Sequence, residues 1–262
     1  MHTDLNHSLC GRRWLLRTFP FRYVLADSVF TPTLYGQLTA ELGDLLDATG
    51  GHGFEQNMRG FEATGHGFRP GYQGAFCVFF SADFRRLMAS VFDAPLTCDV
   101  DASLHHHEPG ARSGHLHNDL NPGWFPARPL HASPEFDVNL SDPARCDYRF
   151  GDTREAGLEV VERVRAVALI YYLNNGPWIP GNGGETGLYL DRATPVAEPF
   201  LVAPPQDNSL LAFECTPRSF HTYLESRVPR NSLIMWWHRP KEDAVARWGE
   251  KAIVPWLRGQ KK

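Results

Sequence analysis

This chain of 262 residues contains little that would tie it to a membrane, a nucleic acid or an oxidising compartment. No apolar stretch approaches the roughly 20 residues that a spanning helix needs, so no membrane insertion is expected. Near the N-terminus Arg12-Arg13 precede Trp14-Leu15-Leu16, but Arg17 and Arg22 interrupt the apolar core of a secretory signal. The five cysteines (Cys10, Cys77, Cys98, Cys146, Cys215) are odd in number, scattered and without a Cys-x-x-Cys pair. Neither a disulfide framework nor a zinc knuckle is therefore expected, and a reducing cytoplasm fits. In that compartment the Asn139-Leu140-Ser141 sequon carries no glycan. Basic runs are missing apart from Lys261-Lys262, and the formal net charge is -4, which argues against nonspecific nucleic-acid binding. The expected partner is a small molecule, and the oligomeric state is not written in the sequence.

What is present is core material, with 42% hydrophobic and 12% aromatic residues, enough for an ordinary globular protein. One domain spanning 1–262 is expected: supporting helices and strands over 1–97, a β core over 98–240, and a tail over 241–262. Thr31-Pro32 reads as an N-cap with a first-turn proline. Leu34, Leu38, Leu42 and Leu45 then recur at helical spacing toward Gly50. A second amphipathic segment starts near Ser81, aligns Phe84, Leu87, Met88 and Val91, and stops before Pro95. Between them, His52 to Gly74 is glycine-rich and reads as an irregular rim or loop. From Cys98 the texture changes to short β-like runs: 101–107, 164–173, 187–190, 200–203, 210–215, 220–224 and 232–237. That many short strands with turn chemistry between them predicts a mainly β (α+β) sandwich or jelly roll, with the N-terminal helices packed on a sheet. A closing helix within 241–256 is limited by Pro255. Leu120 to Arg154, rich in proline and aromatics, shows neither period and reads as a lid or binding loop.

The chemistry concentrates in His117-Asn118-Asp119, His221 and, nine residues on, Arg230. Side chains at i and i+2 leave a strand on one face, so His117 and Asp119 can reach one metal ion. His221, on another predicted strand, completes a two-histidine, one-carboxylate face with open positions, the ligand set of non-haem Fe(II) oxygenases. A competing cupin-like set would use His115, His117 and His221, with Asp119 as a supporting partner, but no glutamate follows His117 closely. Arg230 offers a planar cation suited to bidentate capture of a carboxylate. Ser232, two residues further, shares its strand parity.

Taken with His107-Glu108-Pro109-Gly110, Ile170-Tyr171-Tyr172-Leu173-Asn174, Gly183-Gly184-Glu185-Thr186 and Trp236, these residues give the chain a resemblance to a known family. From about Asp99 to His238 it resembles the Fe(II)- and 2-oxoglutarate-dependent dioxygenases with a prolyl 4-hydroxylase-type catalytic domain. The resemblance implies a double-stranded β-helix, Fe(II) held by His117, Asp119 and His221, and 2-oxoglutarate and O2 as cosubstrates, with ascorbate as an accessory reductant. It implies that Arg230 and Tyr172 bind the distal carboxylate of 2-oxoglutarate. His107 stands where the family often has a cosubstrate-contacting tyrosine, a departure that affects the proximal contacts. Trp236 occupies the position that walls the substrate side of the iron. Retention of Asp119, where related halogenases have a small residue, points to hydroxylation. The family's next strand usually follows His-x-Asp much sooner, so 120–154 reads as an insertion, with Trp124, Phe125 and Arg128 as candidate substrate contacts.

The expected reaction is hydroxylation of an unactivated C–H of a small metabolite, amino acid or natural-product intermediate. The second expectation is a peptidyl or protein prolyl hydroxylase. From a different class come a cupin-type isomerase and a noncatalytic jelly-roll binding module. The iron and cosubstrate carry the hard chemistry, so no Ser-His-Asp or Cys-His constellation is called for.

Overall fold

The computed structural model describes residues 5–11, 14–48, 54, 56–57, 62–127 and 136–258. A large sheet is built around β5 (Asp99–His107), β8 (Val160–Tyr172), β11 (Ser209–Glu214) and β13 (Arg230–Pro240). It is extended by β1 (Leu15–Arg17) and β2 (Tyr23–Ala26) at one edge and by β3 (Gln56–Asn57) and β4 (Thr64–Gly67) at the other. Its order is β1-β2-β11-β8-β13-β5-β4-β3. Facing it is a small antiparallel sheet of β10 (Leu201–Ala203), β9 (Thr186–Tyr189) and β12 (Phe220–Tyr223). The two form the jelly roll, and the predicted strand runs of the core are all found.

Strand alternation divides the large sheet into two chemically different faces. Val100, Ala102 and Leu104 of β5, Val167, Leu169 and Tyr171 of β8, and Leu233, Met235 and Trp237 of β13 share one core. Helices α2 (Pro32–Asp47) and α3 (Ala82–Phe92) cover that face. They bury Leu34, Leu38 and Leu42 from the first and Phe84, Met88 and Phe92 from the second. Trp237 is fully buried with its ring stacked on Phe84, centroids 5.7 Å apart. Such aromatic pairs add about 0.5–1.5 kcal/mol beyond the area they bury. The opposite face looks into the barrel. There Ala168, Ile170 and Tyr172 meet Leu188 and Ala203 of the small sheet, and the polar members of β5 and β13 are collected.

Local chemistry sets the helix ends. Pro32 occupies the first turn of α2 as expected, but Thr31 makes no side-chain cap. Ser81 does cap α3, accepting from the Phe84 N–H at 3.2 Å. α3 closes on Asp93 in the left-handed conformation, whose N–H returns to the Ala89 carbonyl. At the C-terminal side, helix α4 (Lys241–Trp248) ends at Gly249, well before Pro255.

Three features sharpen or correct the sequence reading. β1 and β2, part of the strand support expected over 1–97, carry no clear sequence period; pairing of β2 with β11 supplies the order that so short a run cannot generate by itself. Where it is described, the glycine-rich stretch is not wholly irregular: its β4 pairs with β5, and just beyond it a 3-10 turn at Ala75–Phe80 buries Phe76, Val78, Phe79 and Phe80. Finally, 120–154 is anchored rather than loose where it is described. Its β6 (Pro122–Pro126) pairs with the N-terminal half of β8, and its β7 (Asn139–Leu140) pairs in parallel with β5. Prolines at both ends of β6 hide its strand character in the sequence, yet they are tolerated because β6 has a ladder partner on one side only. The tail fastens the same segment: Trp256 Nε1 donates to the Pro122 carbonyl at 2.7 Å, and Asn121 Nδ2 to that of Val254 at 2.8 Å.

Candidate metal centre and cosubstrate pocket

His117 and His221 are joined backbone to backbone. The His221 N–H donates to the His117 carbonyl at 2.9 Å and the reverse bond measures 3.2 Å, an isolated antiparallel bridge beside β12. This pairing sets the two rings side by side, centroids 4.3 Å apart. The predicted strand for His117-x-Asp119 is thus reduced to this one bridge. Beyond it no strand is formed until β6: Asn118 Oδ1 accepts from the Leu120 N–H at 3.2 Å and the Asp119 carbonyl from the Asn121 N–H at 2.7 Å. The side-chain result matches the i, i+2 expectation all the same. Asp119 lies 3.9 Å from His117 Nε2 and 3.4 Å from His221 Nε2, and the three prospective ligand atoms fall within 4.8 Å of one another. Among the described residues this is the group whose geometry could hold a metal ion. His115 is exposed and lies outside it.

Protonation favours metal binding. Each ring turns Nδ1 to a backbone carbonyl, His117 to His115 at 2.9 Å and His221 to Ser219 at 3.3 Å. Nδ1 is then the protonated nitrogen, and Nε2 is left as the donor lone pair. Desolvation and then the neighbouring His221 push His117 down to about 4, against the pull of Asp119. It is therefore neutral at physiological pH, as a ligand must be. Burial alone would raise the Asp119 carboxyl, but Arg165 and the two histidines outweigh it and hold Asp119 well below the usual carboxylate range. The His117 side chain remains 27% exposed, whereas those of Asp119 and His221 are buried, so the triad opens on one side.

Asp119 is held by Arg165, not anticipated from the sequence, and by Trp236, expected to wall the substrate side. Its Oδ1 accepts from Arg165 Nη1 at 2.9 Å and its Oδ2 from Trp236 Nε1 at 2.6 Å. Arg165 lies 3.8 Å from the Trp236 ring centroid, stacked on the indole. One signal was available: an arginine in the otherwise apolar run Ala166 to Leu173 and its approach demands a buried anion.

A second polar cluster lies on the same inner face. Arg230 is opposite His107 on β5, and Ser232 is opposite both His105 and Tyr172. The Arg230 side chain is almost fully buried. It donates from Nη1 to Ser232 Oγ at 3.2 Å and from Nη2 to Thr186 Oγ1 at 3.4 Å, while Nε is buried without a partner. Among the described residues it forms no ion pair. Tyr172 donates to Thr186 Oγ1 at 2.7 Å with its ring 5.1 Å from the guanidinium, and Tyr223 flanks the other side at 5.2 Å. A buried guanidinium facing hydroxyls and, among the described residues, no carboxylate keeps its charge available to an anion. His107 stacks on Tyr223 with centroids 4.0 Å apart, and its buried Nδ1 also lacks a partner. His105 is buried on this face with Nε2 2.8 Å from Ser103 Oγ.

The remaining substrate candidates separate. Trp236 reaches the triad. Phe125 is fully buried against Tyr148 and His238, so it is core. Trp124, the neighbour of opposite parity on β6, packs over Gly151. Arg128 lies outside the described residues.

The buried histidines give a pH prediction. Burial, then Arg230, pushes His105 down to about 3 and His107 to about 2; burial, then Arg165, pushes His238 to about 3. In the unfolded chain each titrates near 6.5, so below that pH the unfolded state binds more protons and stability falls. Metal-free protein is expected to hold its guanidinium midpoint from pH 8 to 7. Between pH 6 and 4 it should lose stability steadily, on the order of 1 kcal/mol per pH unit for each of these histidines and for His117. A flat profile over that window would contradict the burial of these rings in neutral form.

Comparison with known proteins agrees with this geometry. Residues 151–238 match the family model of the 2OG-Fe(II) oxygenase superfamily, a span that includes Tyr172, His221, Arg230 and Trp236 but begins after His117 and Asp119. No curated protein matches the chain. Among solved structures, a prolyl-4-hydroxylase from Pseudomonas putida aligns with a TM-score of 0.52 at 19% identity, over 83% of this chain and 92% of that one. A structure from work on the prolyl 4-hydroxylases of Phytophthora capsici aligns with a TM-score of 0.50 at 17% identity, over 90% of this chain and 63% of that one. At such identities the likeness is one of fold. No helix among the described residues is long and apolar enough to cross a membrane. Over residues 151–238 the chain matches the 2OG-Fe(II) oxygenase superfamily, oxidoreductases that work with Fe(II), 2-oxoglutarate and O2, and its fold is of the prolyl 4-hydroxylase type.

Proposed function

We propose that the chain, acting as one domain, hydroxylates an unactivated C–H of a small metabolite, amino acid or natural-product intermediate. The observation that carries the reading is the buried, unpaired Arg230 of the large sheet together with the His117, Asp119 and His221 triad, whose His221 comes from the small sheet facing it. In this reading His117 Nε2, Asp119 and His221 Nε2 hold Fe(II). Arg230, Tyr172, Ser232 and Thr186 receive the distal carboxylate of 2-oxoglutarate, and the unpartnered His107 Nδ1 faces the cosubstrate. Bound there, iron with 2-oxoglutarate and O2 supplies an oxidant for C–H bonds, with succinate and CO2 as by-products. The protein's part is to fix positions and exclude water. Arg230 orients the keto acid by a charge that bulk water would otherwise screen. Asp119 fills the position that a halide would need, which supports hydroxylation over halogenation.

The small-substrate reading is supported by the described residues of 120–154, which are tied down by β6, β7 and the tail and whose Tyr148 bonds the Arg165 that stacks on Trp236. A prolyl or peptidyl substrate is the second reading, favoured by the prolyl hydroxylases of similar fold. A succinate-coupled assay across free amino acids, metabolite pools and short proline peptides separates them. Stimulation above the substrate-free rate by free amino acids or metabolites, and none by the peptides, is expected. Stimulation by proline peptides alone would replace the first reading with the second, and failure to bind 2-oxoglutarate at all would remove both.

A further inference from the structure

We propose that Arg165, braced by Tyr148 from the segment inserted after Asp119, is a positioning residue of the metal centre, fixing the Asp119 carboxylate in one orientation. The inference rests on the proposed role of Asp119 as a ligand. It starts from a hydrogen-bonded chain that runs from Asp119 through Arg165, Tyr148 and His238 to Asp99. Arg165 Nη1 donates to Asp119 Oδ1 at 2.9 Å, and Arg165 Nε donates to Tyr148 Oη at 3.0 Å. The Tyr148 hydroxyl proton then goes to His238 Nε2, 2.7 Å away, and His238 Nδ1 donates to the Asp99 carbonyl at 3.0 Å. Only one direction of donation satisfies all four contacts, because the guanidinium can only donate and the Asp99 carbonyl can only accept. His238 is thereby fixed as the neutral Nδ1–H tautomer.

The far side of the carboxylate is fixed too, since Trp236 Nε1 donates to Oδ2 while its indole stacks beneath the same guanidinium. Rotating Asp119 to present its oxygens differently would break one of these buried bonds. The site is cut to accept the brace. Gly123 on β6 lies against it, and a Cβ there would come within 2.5 Å of the Tyr148 ring and 2.9 Å of His238 Nε2. The inserted segment thus reaches the metal centre through a rigid relay, and in this respect it behaves as a wall rather than a lid. Partners that orient a metal ligand typically change metal affinity by about 10–100-fold when removed.

The test uses full-length protein titrated anaerobically with Fe(II), and with Co(II) as a spectroscopic probe. Tyr148→Phe keeps the ring and removes only the hydroxyl; Gly123→Ala displaces the ring; Arg165→Gln and Arg165→Lys change the contact to Asp119. All four should weaken metal binding, Tyr148→Phe by about tenfold and Arg165→Gln by about 10–100-fold, with Arg165→Lys between wild type and Arg165→Gln. The Co(II) visible spectrum should shift in each, while circular dichroism stays native. If any variant does not fold, Tyr148→Phe, the mildest change, still decides the matter. Metal affinity and spectra within twofold of wild type in Tyr148→Phe and Arg165→Gln would overturn the proposal, as would an effect confined to the KM of the primary substrate. If the wild-type chain itself takes up no metal, it is the ligand assignment that fails, a result distinct from wild-type binding with unresponsive variants.

Discussion

Replacing Asp119 by alanine is expected to abolish 2-oxoglutarate turnover and, in the metal-free protein, to lower stability by about 3–5 kcal/mol. The two losses have different origins. Turnover fails because the proposed ligand face drops to two histidines. Stability falls because Arg165, itself fully buried, loses the carboxylate at 2.9 Å and keeps only Asp101 at 3.8 Å as a neighbouring anion. A buried guanidinium left unpaired costs far more than the pair contributes. Asp119→Asn should lose turnover as well while recovering part of the stability, since its amide oxygen can still accept from Arg165. Guanidinium melts of metal-free protein and succinate release together check both halves. A variant that melts like wild type would contradict the Arg165 pairing, and one that turns over 2-oxoglutarate normally would contradict the ligand assignment and revive the cupin-like set with His115.

Arg230 should show the opposite pattern. Arg230→Ala is expected to weaken 2-oxoglutarate binding by about a hundredfold to a few thousandfold, corresponding to the roughly 3–5 kcal/mol expected when one partner of a buried charge pair is removed. Metal binding should persist, because no proposed ligand is touched. Arg230→Met, which retains most of the volume, should fold at least as stably as wild type without cosubstrate. In the free protein the guanidinium is buried without a counter-ion, an arrangement that favours function over stability. Arg230→Lys keeps the charge without the planar fork and should fall between the two. Calorimetric titration with 2-oxoglutarate in the presence of Mn(II) measures the effect. An unchanged affinity in Arg230→Ala would show that the anion pocket serves something else.

Much of this site was legible in the sequence for a simple geometric reason. The period of two places His105 with His107 on β5 and Arg230 with Ser232 on β13, and the pairing of the two strands then brings both pairs to one face. The i, i+2 spacing likewise brings His117 and Asp119 to one side even though Asp119 is not in a strand. The nine-residue step from His221 to Arg230 needs only one turn between adjacent elements. Helices α2 and α3 could be read from leucine and phenylalanine spacing that their burial repeats.

Other features depended on tertiary structure. Nothing local says that Arg165 and Trp236 both end on Asp119, or that Tyr148 lies between Arg165 and His238. Those contacts span 46, 117, 17 and 90 residues and exist only once β8, β13 and the inserted segment are side by side. Phe125 and Trp124 could not be ranked as pocket or core from an aromatic-rich run, because β6 is recognisable as a strand only by its pairing with β8. By itself, then, the sequence determined the chemical inventory, the strand parity and the family, all consequences of short-range periodicity. Which groups are desolvated, which carboxylate meets which cation, and what stands over the open side of the triad were decided by packing, since burial and charge pairing are properties of the assembled barrel and of no segment within it.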